Sequence, residues 1–145
     1  MDHVSLPPLA PGGGDGPLGQ AQPAEMAFGV AELGALRALV ARVAAAAALE
    51  RSRSEDLVLV VNELACNSIR HGGGEGTLRI WVQEGELLCE VRDRGHLRSR
   101  DTPRSCPSAE HTSSRGLWIA AELSDRLQIR SSPVGGSAVR VAMAI

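Results

Sequence analysis

Glu63, Asn67 and His71 recur every four residues within "VVNELACNSIRHG", residues 60–72. On a helix that interval stacks a carboxylate, an amide and an imidazole on one stripe. With Asp56 and Arg70, the stripe spans roughly 100° of arc at about 100° per residue. Leu57, Val58, Val61, Leu64, Ala65 and Ile69 fill much of the other side. A solvated face of an amphipathic helix accounts for the charges. It does not account for Asn67, because Asn competes with the backbone in mid-helix. An Asn oxygen suits Mg²⁺, which takes hard oxygen ligands and keeps waters and phosphates. A Glu one turn earlier can take the proton of a hydroxyl or water attacking a phosphoryl group. His71, at the helix end, also fits a simple dipole and cap interaction.

Strand alternation supplies two more polar groups. Leu87, Cys89 and Val91 share one face of "LLCEVRD" (87–93), and Asp93 continues that inner series. Ser137 likewise belongs to the inner series of Val139, Val141 and Met143. Buried polar groups need partners. Asp93 can cap a turn with Gly95, or accept a hydrogen bond from a ligand's amino group with Ser137 assisting. In "SSRGLWI" (113–119), Gly116 is expected to open a helix whose free N–H groups can hold phosphate. Arg115 beside it can contact a terminal phosphate. The rival reading is an ordinary junction between a loop and a helix. No GxxxxGK[ST] occurs and Lys is absent from the chain, which excludes a P-loop.

These groups need elements to hold them. The sequence predicts a short strand over 25–30 and an Ala-rich helix over 31–50. A second helix over 55–71 starts at Ser54, and Gly72, Gly73 and Gly74 stop it by accepting left-handed backbone. Strands follow at 77–83 and 87–93 around the hairpin signal "EGE". A loop entering a helix over 113–125 comes next, then strands 126–132 and 137–145 turned by "PVGG". Residues 94–112, polar and aperiodic, read as a lid or binding loop. One sheet face is apolar, while the other carries Arg79, Arg92, Arg126, Arg130 and Arg140. The expected fold class is therefore an α/β (α+β) two-layer sandwich, a mixed, mostly antiparallel sheet with helices on its apolar face.

At 145 residues and 43% hydrophobic content, the chain suits one domain. Residues 1–24, dense in Pro and Gly, read as a tail, leaving 25–145 as the domain. A net charge of −2 gives no bulk argument for nucleic acid or anionic membrane. Aromatic residues are only Phe28, Trp81 and Trp118, too few for base-stacking platforms. Cys66, Cys89 and Cys106 are odd in number and widely spaced, which fits a reducing cytoplasm. No Arg or Lys precedes residue 37, and no apolar run reaches the length of about 18 that a membrane span needs.

"NELACNSIRHG", "RDRG", "SRGLWIAAELSD" and "GGSAVRV", in that order, resemble the N, G1 and G2 boxes and final Gly-Thr segment of the GHKL (histidine-kinase-like) ATPases. The likeness covers about residues 25–145. It is strongest to the small anti-sigma regulatory factors that are also serine/threonine protein kinases. That resemblance implies a GHKL (Bergerat) ATP-binding fold with an ATP lid, and ATP and Mg²⁺ as ligands. It implies Glu63 as catalytic base and Asn67 as Mg²⁺ ligand, with His71 beside the nucleotide. Asp93 and Gly95 would lie at the adenine, and Ser137 stands where Thr is usual. Arg115, Gly116 and Leu117 match the G2 element at the phosphates, with Ser114 where that box commonly has its first Gly. The implied partners are a sigma factor and an anti-anti-sigma antagonist phosphorylated on Ser or Thr, with a homodimer common in the family. The alternative is a nucleotide-gated binding module of the same fold without kinase activity. A histidine-kinase catalytic half is disfavoured, since residues 1–24 do not read as a helical hairpin carrying a phospho-acceptor His.

Overall fold

A computed structural model describes residues 23–95, 112–131 and 135–145, with backbone only at 112–114. Most of the expected tail and lid, Cys106 and the first half of "PVGG" lie outside the described residues.

Strand β1 (Ala24–Phe28) leads through a 3₁₀ turn (Val30–Glu32) into α1 (Leu33–Ala46) and α2 (Arg51–His71). The hairpin β2 (Gly76–Gln83) and β3 (Glu86–Asp93) follows, then α3 (Thr112–Leu123), β4 (Arg126–Ser131) and β5 (Ser137–Ala144). The sheet order is β1-β2-β3-β5-β4. Every described pairing is antiparallel, so the sheet is not mixed as the sequence had suggested. The alternation expected from sequence holds. Leu78, Ile80, Leu87, Cys89, Val91, Leu127, Val139, Val141 and Met143 are buried on one face. They pack with Leu36, Val40, Leu57, Val61 and Leu64 of the first two helices and with Leu117 and Ala120 of α3.

Three helix boundaries differ from expectation for physical reasons. The first helix stops at Ala46 rather than Glu50. Ala48 adopts φ 61° and Leu49 donates its N–H to the Ala44 carbonyl at 3.1 Å. This is a Schellman-type end without its usual Gly. The left-handed Ala is offset by Leu49, which the reversal turns into the core at 7% exposure. The second helix starts at Arg51, with Glu50 as N-cap rather than Ser54. Ser54 sits inside its first turn and donates back to the Leu49 carbonyl at 3.3 Å. The third helix begins at Thr112, so Gly116 lies past its first turn instead of opening it.

The Arg-bearing face is also not plain solvated surface. Glu90 is fully buried on it, held by Arg92 at 2.7 Å and Arg140 at 2.8 Å. A carboxylate there is tolerable only because guanidinium groups flank it.

Candidate functional site

The second helix carries both walls of the site. Leu57, Val61 and Leu64 form its core-facing stripe, and Ser68 falls on that same stripe by helical spacing. Ser68 is 1% exposed, and its hydroxyl donates to Asp93 Oδ2 at 2.6 Å. The Gly95 N–H donates to Asp93 Oδ1 at 2.7 Å, and the Ser137 hydroxyl to the same oxygen at 3.0 Å. Asp93 and Ser137 are register partners at the end of the β3–β5 ladder, as their shared inner series requires. The turn-cap reading of Asp93 therefore holds, and the Ser137 hydroxyl shares the same carboxylate oxygen.

Glycine makes this convergence possible. A Cβ at Gly72 would sit within van der Waals overlap of the Asp93 carboxyl carbon. One at Gly95 would meet the His71 carbonyl at 2.7 Å and Gly72 Cα at 2.9 Å. The Gly72 carbonyl accepts the Arg94 N–H at 3.1 Å, locking the helix end to the strand end. Gly73 and Gly74 have the left-handed φ expected of a helix stop, at 97° and 87°. Gly72, at φ −110°, is needed for the close approach instead.

The Glu63–Asn67 stripe lies about 100° around the helix from Ser68. Asn67 is 7% exposed and Glu63 is half-buried. They face the third helix: a Cβ built on Gly116 would lie 3.2 Å from Glu63 Oε2 and 3.4 Å from Asn67 Nδ2. A solvated face is therefore the wrong description of these two residues. It suits Arg70 and His71, which are exposed. Arg115 is exposed beside this junction, and the Leu117 side chain packs into the core at 3% exposure.

The structure thus gathers Asp93, Gly95 and Ser137 at one end of α2, and Glu63, Asn67 and Gly116 along its side. The side chains of His71 and Arg115 are on the surface. Sequence reasoning missed Ser68 and the close-packing role of Gly72. The available signal for Ser68 was a hydroxyl on a stripe otherwise filled by Leu57, Val61 and Leu64.

A cleft of about 510 Å³ opens at the Asp93 end of the sheet, lined among others by Phe28, Gly29, Thr77, Arg92 and Asp93. Glu63 and Asn67 do not line it. Gly116 lies directly against both of them. Among the described residues, no three or more His, Cys, Asp or Glu side chains cluster to hold a metal. Among them, too, no helix is long and apolar enough to cross a membrane.

A search of curated proteins returns no match. Among solved structures, the fold is similar to a chain of the SiaB–SiaC complex from Pseudomonas aeruginosa. The TM-score is 0.58 at 12% identity, covering 81% of this chain and 89% of that one. A sequence model of the histidine kinase-like ATPase domain matches residues 26–143, nearly the whole of the described sandwich. The chain belongs to the histidine kinase-like ATPase domain family.

Proposed function

We propose that this chain binds ATP with Mg²⁺ and transfers the γ-phosphoryl group to a Ser or Thr hydroxyl of a protein antagonist, while its other partner is a sigma factor it sequesters. The observation that carries the reading is the clamp on Asp93 beside the Glu63–Asn67 stripe, both built on α2. A carboxylate fixed by three donors is a pre-organised acceptor for the adenine amino group. Oxygens in this geometry retain lone pairs, since an ionised carboxylate accepts about four hydrogen bonds.

The residues fit the nucleotide and its ion. Asn67 carries one neutral oxygen, and among the described residues no group of three or more His, Cys, Asp or Glu surrounds it. Such a donor set suits Mg²⁺ that arrives with phosphates, because that ion keeps most of its ligands as water and phosphate oxygen. Bound there, the ion would neutralise charge on the phosphates. Gly116 lets the α3 backbone come close to the same place, and Arg115 can pair with a terminal phosphate. Glu63 accepts the proton of the attacking hydroxyl. The new bond joins that oxygen to the γ-phosphorus, and the bond to the β–γ bridging oxygen breaks to release ADP. The histidine kinase-like family supports nucleotide binding. The neighbour's occurrence in a two-protein complex supports a protein partner.

The test uses γ-labelled ATP and the anti-anti-sigma candidates of the same genome. Label should reach a Ser or Thr of one antagonist and disappear with Glu63→Gln while calorimetry still shows ATP binding. Binding without label on any candidate would leave the chain a nucleotide-gated docking module. No ATP binding at all would overturn both readings.

A further inference from the structure

The two edges of the sheet are guarded differently. Among the described residues, β4 pairs only with β5 and β1 only with β2. An open edge offers unpaired backbone N–H and C=O groups, and charges, Pro or a bulge usually blunt it. β4 carries the exposed charges of Arg126 and Arg130. β1 carries Glu25 alone, with no Pro between Ala24 and Phe28 and an unbroken register with β2.

The helix beside β1 leaves the core open on the same side. α1 packs on β1 and β2, while α2 lies further in, over β3 and its neighbours. At about 100° per residue, Ala35, Leu39, Val43 and Ala46 fall within roughly 80° of arc. Arg37, bonded to Asn62 of α2 at 2.9 Å, lies on the other side of the core stripe of Leu36, Val40 and Ala44. The flank from Ala35 to Ala46 therefore points away from α2, toward the β1 edge. Leu39 and Val43 are half-buried, as are Ala24 and Met26 on the inner face of β1, and all four pack against the core. Ala35 and Ala46 are exposed.

We propose that this edge and flank form the contact surface for a second copy of the chain, whose β1 pairs antiparallel with this one and joins the two five-stranded sheets into one. A two-fold axis closes an antiparallel pair of identical strands, so neither copy keeps an open β1 edge. Centred on Met26, the pairing sets Glu25 opposite the partner's Ala27, so no like charges face each other. With strands about 4.8 Å apart and α1 over the β1–β2 pair, the two α1 axes would lie about 10 Å apart. Helices pack at about 8–10 Å, and the small side chains of Ala35 and Ala46 admit that approach. The inference does not rest on the nucleotide reading, because neither β1 nor α1 carries Glu63, Asn67 or Asp93.

The test compares the parent chain with the double variant Ala35→Arg, Ala46→Arg. Both positions are exposed, and Arg is a good helix former, so the single chain should still fold. Sedimentation velocity from low to high micromolar concentration should show the parent reaching the mass of two chains. The variant should dissociate at least about tenfold more readily, with an unchanged melt where both are monomers. Amide exchange should slow with parent concentration at the N–H groups of residues 24–28 that β2 leaves unpaired. A parent that stays a single chain at every concentration would overturn the proposal. So would a dimer indifferent to the two Arg substitutions, or one whose formation leaves exchange at residues 24–28 unchanged, since either assigns the contact to another surface.

Discussion

Replacing Ser68 by Ala probes the site where sequence reasoning was blind. Ser68 is buried, and its hydroxyl is the donor to Asp93 Oδ2 at 2.6 Å. The two other donors, Gly95 N–H and Ser137 Oγ, both serve Oδ1. Ser68→Ala therefore strips Oδ2 of its donor among the described residues, while Ser137→Ala leaves Oδ1 with the Gly95 amide. A hydrogen bond to a charged group contributes about 1.5–3 kcal/mol, and a neutral one about 1 kcal/mol. We expect Ser68→Ala to cost about 2 kcal/mol and Ser137→Ala to cost about half of that, given its longer bond and its spared partner. For a chain of this size 2 kcal/mol lowers Tm by about 6–8 °C.

Denaturant titration of the two variants, alone and with Asp93→Asn, isolates the pair. The Ser68→Ala penalty should shrink by about 1 kcal/mol in the Asp93→Asn background, because the interaction it removes has changed. If Asp93 receives the adenine amino group, the loosened carboxylate should also weaken ADP binding about tenfold, equal to about 1.4 kcal/mol. A Ser68→Ala chain within about 0.5 kcal/mol of the parent, or penalties that add without coupling, would refute the clamp as the organising feature of the site.

Three other outcomes follow from the geometry. Gly72→Ala should destabilise by about 3 kcal/mol, since its Cβ would overlap Asp93, whereas Gly74→Ala, with nothing within 4 Å, should cost only the left-handed penalty of about 1–2 kcal/mol; thermal melts rank the pair. Ala48→Gly should stabilise by about 1 kcal/mol in urea titration, because a Gly at φ 61° relieves the Cβ strain at the end of α1. Asp125 accepts the Ala144 N–H at 2.6 Å, the main cause of its lowered pKa, with Arg53 adding to the shift against the opposing effect of burial. Because the folded value is depressed, its stabilisation is present above the unfolded value of about 4 and is lost as pH falls through the folded one. Asp125→Asn should flatten the acid limb of a stability–pH profile below about pH 4 and cost about 1 kcal/mol at neutral pH.

The sandwich was legible because strand alternation leaves little freedom. Once Leu87, Cys89 and Val91 share the buried face, Asp93 must follow them, and Ser137 meets it through the same rule on β5. The Glu63–Asn67 stripe was legible as a stripe, but its burial was not. That depends on Gly116, whose contact with α2 is tertiary and falls 53 and 49 residues away in sequence. Ser68 escaped notice because a Ser on an apolar stripe signals nothing until its partner is known. The boundaries at Ala48 and Glu50 are hard to read because neither Ala nor Glu is a usual cap residue. The chain instead reverses on an Ala and draws Leu49 inward. Glu90 was obscured by the same alternation rule, since the rule assigns a face but not the guanidinium groups that close over it.

Both walls of the site depend on α2, yet different elements hold them. The Asp93 floor is fastened to that helix by side-chain bonds and by the Gly72–Arg94 backbone bond. The Glu63–Asn67 wall faces α3 at Gly116, which brings no side chain against it. These two attachments should differ in how easily they open. Breaking the floor exposes a half-buried carboxylate and its buried hydroxyl partner, while lifting the start of α3 at Gly116 forfeits no Cβ packing at that position. A ligand with one end seated at Asp93 would therefore meet a fixed surface there and a displaceable one at Asn67. Binding energy gained at the floor can then shift α3, whose N-terminal end follows directly from residues 96–111. On this division, substitutions at Ser68 should change affinity and stability together. Substitutions at Gly116 should change the equilibrium of α3 with a smaller effect on stability, and amide hydrogen exchange in the first two turns of α3, with and without ADP, separates the two.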